Sequence, residues 1–145
     1  MRVEIRKLNE KAKLPGRGSD LAAGYDLYAV SDASVSIAPH ETVKIGTGLS
    51  AAIPEGYFGG IFARSGLALK RHLRPANCVG VVDADYRGEI IVALHNDSDQ
   101  IQVIEPGERI AQLVIIPHIS VDFEEVSELP ATDRGTGGFG STGTK

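Results

Sequence analysis

The chain has 145 residues, which is enough for one domain with one hydrophobic core. Its composition, 42% hydrophobic and 23% charged, is that of a globular domain, and its net charge of −4 argues against a protein that coats nucleic acid. The single cysteine, Cys78, excludes an internal disulfide and a multi-cysteine zinc site, and we expect it to be a small buried residue.

The chain carries no recognisable targeting signal. Residues 1–11 contain no apolar run long enough for a signal peptide, and no later stretch could span a bilayer. We therefore expect a protein that does not enter membranes and that works in the cytoplasm.

Short apolar segments lie between turn signals, and in some of them apolar residues alternate with polar ones; both patterns predict strands. Strands are expected near 3–5, 25–30, 35–37, 43–45, 49–53, 57–62, 80–82, 90–95, 101–104, 110–116 and 119–123. Turn signals recur about every 8–15 residues, which is typical of a sandwich or barrel. The one helical candidate is SGLALKRH at 65–72, with Ser65 as its N-cap. The sequence therefore predicts an all-β fold.

Residues 80–92 combine two short apolar strands with a polar turn, DADYRG, between them. We predict a hairpin with Asp83 and Asp85 on one face, because successive side chains of an extended chain point to opposite faces. Taken alone, the two acids could equally be ordinary turn residues. A buried acid at such a tip would have to be paired or used, since an unpaired buried carboxylate is costly.

The carboxyl-terminal residues differ in kind from the rest of the chain. From Arg134 the sequence reads RGTGGFGSTG, and so many glycines predict a segment that is mobile when nothing is bound. The pattern G-x-G-x-x-G occurs here without the strand and helix that a dinucleotide site needs. An arginine and a phenylalanine among glycines suggest a flap for an anion and a ring. We expect a domain at 1–130 and a flexible flap at 131–145.

Five segments together resemble the trimeric dUTP diphosphatases, or dUTPases. They are AAGYDLYA (22–29), ARSGLA (63–68), GVVDADYRGEI (80–90), GERIAQLV (107–114) and RGTGGFGSTG (134–143), in that family's order and spacing. The resemblance implies a jelly roll, a homotrimer with three active sites between subunits, and Mg²⁺-dependent hydrolysis of dUTP to dUMP and pyrophosphate. Such a reaction lowers dUTP, which keeps uracil out of DNA, and supplies dUMP for thymidylate synthesis.

The same resemblance implies roles at the hairpin. Asp83 matches the catalytic aspartate that holds the attacking water and contacts the sugar 3′-hydroxyl. Tyr86 matches the tyrosine whose ring packs where a ribose 2′-hydroxyl would sit, so that ribonucleotides are excluded. The remaining residues implied to line the uracil pocket are Asn77, Val81, Val82 and Ile91.

On the phosphate side, Arg64 supplies charge, and Ser65 and Gly66 offer donors at a helix start, a natural anion site. Gln112 matches a glutamine near the phosphates, and Asp26 an aspartate that holds water on Mg²⁺ without ligating it. The ion itself would be carried mainly by the triphosphate. From the tail, the resemblance assigns Arg134 to the γ-phosphate, Phe139 to a stack on uracil, and Ser141 and Thr142 to the terminal phosphate.

Three motif residues, Asp85, Arg87 and Arg109, are expected to serve packing and interface salt bridges. Two other functions stay open. One is a deaminase of the same fold that converts dCTP to dUTP, although that branch usually lacks an aromatic glycine-rich ending. The other is a jelly-roll module that binds a nucleotide or a protein without catalysis, although every expected site residue is present.

Overall fold

A computed structural model describes residues 1–138 of the chain. Its strands are β1 (Glu4–Lys7), β2 (Tyr25–Tyr28), β3 (Val35–Ile37), β4 (Thr42–Gly46), β5 (Leu49–Ala52), β6 (Tyr57–Phe62), β7 (Leu73–Pro75), β8 (Gly80–Val82), β9 (Ile91–Asn96), β10 (Gln102–Ile104) and β11 (Arg109–Pro117), and its helix is α1 (Ser65–Arg71). The prediction of an all-β fold with one short helix is confirmed. In residues 1–138 no helix is long and apolar enough to cross a membrane.

The strands form four antiparallel sheets. Two are pairs, β1 with β5 and β3 with β10; the others have the orders β4-β9-β7 and β2-β11-β6-β8. Most neighbours in the two larger sheets are distant in sequence, because the chain crosses repeatedly from one layer to the other. No sheet in the described part of the chain closes on itself, so the architecture is a sandwich and not a barrel.

Apolar side chains that face inward from the strands fill the core between the layers. In β9, for example, Val92 and Leu94 are buried while Ile91 faces outward. The core also contains Leu27, Ile37, Ile45, Leu49, Ile61, Leu73, Ile104, Ile110 and Leu113. Three polar side chains of the described residues are also buried, namely Thr47, Ser50 and Asn96. The fully buried Asn96 donates to the carbonyls of Ile37 at 3.1 Å and Gln100 at 2.7 Å.

The predicted hairpin at 80–92 is wrong in its pairing, although both strands exist. In β8, Val82 pairs with Gly59 of β6, whereas β9 pairs with β4 and β7 in the other large sheet. Turn residues showed that the chain reverses but not which sheet edges it meets. Strand β8 ends at Val82, so Asp85 lies in the turn and does not share an extended face with Asp83.

Residues 83–90 therefore form a loop that crosses between the layers. The buried Ser50 donates to the Arg87 carbonyl at 2.7 Å, and Ile90 N–H donates to the Leu49 carbonyl at 2.8 Å. These two bonds anchor the crossing loop to β5.

Three local predictions need correction. Helix α1 has Arg64 as its N-cap and no side-chain cap bond, so Ser65 is the first helical residue and does not cap the helix. Strand β7 was not predicted, because Leu73 and Pro75 alternate over only three residues. Cys78 is exposed, since it occupies a tight turn with φ of 62° and its N–H donates to the Pro75 carbonyl.

The segment 118–130, which we call the arm, contains no strand. The prediction that 119–123 completes the fold is therefore wrong within one chain. Ile119 is 87% exposed and Phe123 is 96% exposed, because the arm leaves the end of β11 without meeting a sheet of its own chain. The predicted division into 1–130 and 131–145 stays a prediction.

Candidate active site

A cavity of about 560 Å³ opens beside the start of β2, the end of β6 and the start of β11. It is lined by Gly18, Ala22, Ala23, Gly24, Asp26, Arg64, Ser65, Gly66, Arg109 and Gln112. Five of the residues that the sequence assigned to the phosphates and the metal lie here together, namely Asp26, Arg64, Ser65, Gly66 and Gln112. We call this cavity the phosphate pocket.

Two arginines hold the carboxylate of Asp26. Arg64 Nε donates to Oδ1 at 2.7 Å, and Arg109 Nη1 donates to Oδ2 at 3.1 Å. The Asp26 side chain is only 15% exposed, so this double pairing compensates a largely buried charge. The three groups together carry one net positive charge, which suits an anion.

Gln112 reaches the pocket through a close approach to Gly24. Its amide Nε2 donates to the Ala63 carbonyl at 2.9 Å. A Cβ on Gly24 would lie 2.1 Å from Gln112 Oε1, so that only glycine leaves the amide its present place. Gly24, in the segment 22–29, thus leaves room for Gln112, in the segment 107–114.

Asp83 lines a different cavity, of about 270 Å³, which we call the Asp83 cavity. Its other lining residues are Tyr57, Phe58, Val81, Ala84 and His118. Nearby, Tyr86 OH donates to the Glu89 carbonyl at 2.9 Å, and its ring fills the space that a Cβ on Gly88 would need. Asn77, Tyr86 and Ile91 are exposed at the surface around this loop, whereas Val82 is buried in the core.

Within one chain the two cavities are far apart and share no lining residue. Asp83 comes directly after Val82, which pairs with Gly59 near the start of β6. Arg64 lies beyond the other end of that strand. A strand rises by about 3.3 Å per residue, which puts the two side chains about 20 Å apart along β6. A single chain therefore does not bring the predicted catalytic aspartate to the predicted phosphate site.

An apolar sheet face connects the two cavities. Phe58 and Phe62 of β6, and Val114 and Ile116 of β11, lie on the side of the sheet opposite the core and are half-buried. Val81 continues this face beside Asp83 and is 61% exposed. We call it the outer face.

The tail is described only as far as residue 138. Arg134 lies in a turn, in which its Nε donates to the Gly137 carbonyl at 2.8 Å. Arg134 lines neither cavity of this chain. Phe139, Ser141 and Thr142, predicted to contact uracil and the terminal phosphate, lie outside the described residues.

Residues 1–138 contain no cluster of three or more His, Cys, Asp or Glu side chains that could hold a metal ion. Both oxygens of Asp26 already accept bonds from arginines. The donor set does not fit a magnesium site made by the protein alone, and it fits an ion that arrives on a phosphorylated ligand.

Arg109 also belongs to this site. Arg109 was expected to serve packing or interface salt bridges, and it does form a salt bridge, but inside the phosphate pocket. Its position in GERIAQLV, three residues before Gln112, was the available signal.

Comparisons with known proteins agree on one family. The dUTPase family model matches residues 10–143. A deoxyuridine 5'-triphosphate nucleotidohydrolase from Hydrogenobaculum sp. is 49% identical over the full length of both chains, and one from Oryza sativa subsp. japonica is 48% identical over 97% of this chain and 80% of its own. Among solved structures, a Staphylococcus bacteriophage 80alpha dUTPase with dUPNHPP has a TM-score of 0.86 at 30% identity, covering 99% of both chains. The fold is accordingly the β jelly roll of those proteins, and the chain belongs to the dUTPase family.

Proposed function

We propose that this protein hydrolyses dUTP to dUMP and pyrophosphate. The observation that carries the proposal is that the chain belongs to the dUTPase family and has every candidate site residue that the resemblance implies. Asp26, Arg64, Ser65, Gly66 and Gln112 line the phosphate pocket, and Val81 and Asp83 line the Asp83 cavity. Curated relatives that match 97–100% of this chain bear the name of this activity. In the cytoplasm, this reaction would lower the concentration of dUTP and supply dUMP.

The proposed reaction is an attack of water on the α-phosphorus. The water oxygen forms a bond to phosphorus, the bond from phosphorus to the bridging oxygen of the β-phosphate breaks, and pyrophosphate leaves. Asp83 holds the water and accepts its proton, a role supported by its exposed carboxylate at the rim of a cavity. Arg64 and the donors of Ser65, Gly66 and Gln112 neutralise the phosphates.

Magnesium is proposed as the cofactor, carried on the triphosphate. The ion would offset phosphate charge, and Asp26 would meet it only through water, since both carboxylate oxygens accept bonds from arginines. The protein residues themselves orient the phosphates and exclude alternative positions for them.

We further propose that the sites form between copies of this chain in a homotrimer, the number three coming from the family resemblance. Asp83 and Arg64 lie at opposite ends of the outer face, so one copy packed head-to-tail on the next would join the two half-sites. The apolar outer face and the exposed arm both offer surface for such packing. No nucleic acid and no membrane enters this proposal.

Selectivity at the sugar and base is assigned to the crossing loop and the tail. The ring of Tyr86, fixed by its bond to the Glu89 carbonyl, would stand against a ribose 2′-hydroxyl. The backbone of Val81 and Val82, with Asn77 and Ile91, would pair with uracil. Phe139 would stack on the base, while Arg134, Ser141 and Thr142 would bind the outer phosphates.

The direct test is to incubate the protein with Mg²⁺ and each of dUTP, dCTP, dTTP, dATP, dGTP and UTP, and to assay pyrophosphate and ammonia. We expect pyrophosphate from dUTP and at most traces from the others. Ammonia from dCTP would instead identify a deaminase. Binding of dUTP without any product would identify a non-catalytic module, and either result would overturn the proposal.

A further inference from the structure

Strand β11 carries an irregularity beside the phosphate pocket. Arg109 pairs with Tyr28 and Ala111 pairs with Leu27, so Ile110 is an extra residue in this strand. Both Ile110 and Ala111 are fully buried, which a regular strand with alternating faces does not allow for neighbours. This is a β-bulge, a feature that commonly re-aims a side chain next to an active site.

The bulge changes the direction of Arg109. Residues three apart in a regular strand face opposite sides, yet Arg109 and Gln112 both line the phosphate pocket. Without the extra residue, Arg109 could not face Asp26 from the same side as Gln112. The backbone irregularity thus serves to bring a second arginine to Asp26.

The two arginines donate to opposite oxygens of one carboxylate, so that Asp26 links Arg109 to Arg64. Arg109 Nη1 donates to Asp26 Oδ2, and Asp26 Oδ1 accepts from Arg64 Nε. Within residues 1–138, the terminal nitrogens of Arg64 make no hydrogen bond, so they stay available in the pocket that they line. Arg109 is 51% exposed and Arg64 is 25% exposed, which places Arg109 on the solvent side of the carboxylate.

We propose that Arg109 is a positioning residue, which holds the Asp26 carboxylate so that Asp26 fixes the Arg64 guanidinium towards the phosphates. The inference rests on the proposed function and names a part of its machinery. Asp26 held from one side only would be free to turn about its side-chain bonds, and Arg64 would lose its fixed direction. Because Arg109 donates to Asp26 through a single N–H, a lysine could replace it in part. Arg64 could not be replaced in this way, since its two terminal nitrogens are needed to bind the phosphates.

The test is a double-mutant cycle on Arg109→Ala and Asp26→Ala, with binding of a non-hydrolysable dUTP analogue measured by calorimetry in the presence of EDTA. We expect Arg109→Ala to weaken the analogue about 10-fold, the effect of one charge-assisted bond. In the Asp26→Ala background the same change should cost less than about twofold, because its route to Arg64 is already gone. Binding of dUMP, with one phosphate, should change by less than about twofold in Arg109→Ala.

Two further variants sharpen the result. Arg109→Lys should recover most of the lost affinity. Arg74→Ala is the matched control: it removes another Arg–Asp pair, with Asp97 at 2.7 Å, that lies outside both cavities, and should leave binding unchanged. Thermal unfolding of each variant identifies any that fails to fold, in which case Arg109→Lys and Arg109→Gln carry the comparison.

An undiminished 10-fold loss in the Asp26→Ala background would show that Arg109 contacts the phosphates directly and would overturn the inference. An Arg109→Ala protein with unchanged affinity would overturn it as well. Both outcomes differ from a failure of the proposed function, in which the unaltered protein neither binds the analogue nor hydrolyses dUTP.

Discussion

At the scale of single residues, the phosphate pocket depends on the missing Cβ of Gly24 as well as on its polar side chains. Gly24 has an ordinary backbone conformation, and the reason for a glycine is space, since Gln112 Oε1 occupies the position next to its missing Cβ. The sequence placed Gly24 within a motif but could not show this contact, because the two residues are 88 positions apart. The sequence predicted five of the residues that line the phosphate pocket, but not that Gln112 packs against Gly24.

Replacing Gly24 by alanine should displace the Gln112 amide and weaken its bond to the Ala63 carbonyl. We expect dUTP hydrolysis to fall about 10-fold, the typical effect of one hydrogen bond to a charged group, with a smaller change in thermal stability. Gly18→Ala is the matched control, because Gly18 lines the same pocket and its Cβ would meet nothing within 4 Å. Equal activities in the two variants would refute the role given to Gly24.

At the scale of elements, the sequence predicted most strands and few of their partners. The apolar segments 110–116 and 57–62, rich in β-branched and aromatic residues, located β11 and β6 well. Neither the pairing of β8 with β6 nor the bulge at Ile110 leaves such a local signal. Both depend on contacts between distant segments. The buried Asn96 is similar: no local pattern predicts that its amide donates to the carbonyls of Ile37 and Gln100.

The tail is the element whose function the sequence predicts most directly. Deleting residues 134–145 should leave the unfolding temperature and the oligomer unchanged, since the core side chains of residues 1–138 all lie at or before Ile115. Turnover of dUTP should fall about 10- to 100-fold through loss of the base stack and of Arg134. A deletion of 144–145 alone serves as the control. Full turnover in the longer deletion would exclude the tail from the site.

At the scale of the whole molecule, the decisive feature is the distance between the half-sites. Asp83 and Arg64 lie at opposite ends of β6, about 20 Å apart by strand geometry. The outer face between them is apolar, and the arm carries Ile119 and Phe123 into solvent. A monomer explains neither feature, whereas head-to-tail packing of copies would cover the apolar surface and complete the site in one step.

A complementation assay tests this account most directly. Asp83→Asn should retain dUTP binding and lose about 10²–10⁴-fold in turnover, because the amide cannot accept the proton of the water. Arg64→Ala should be inactive because its phosphate pocket lacks the arginine that binds the phosphates. When the two variants are mixed in equal amounts and their subunits exchange, a site needs an intact Asp83 from one copy and an intact Arg64 from its neighbour. We predict recovery of about one quarter of the sites of the unaltered protein, as random assembly of a closed ring requires. A mixture that stays as inactive as its parts, after labelled subunits are seen to exchange, would contradict a site shared between copies.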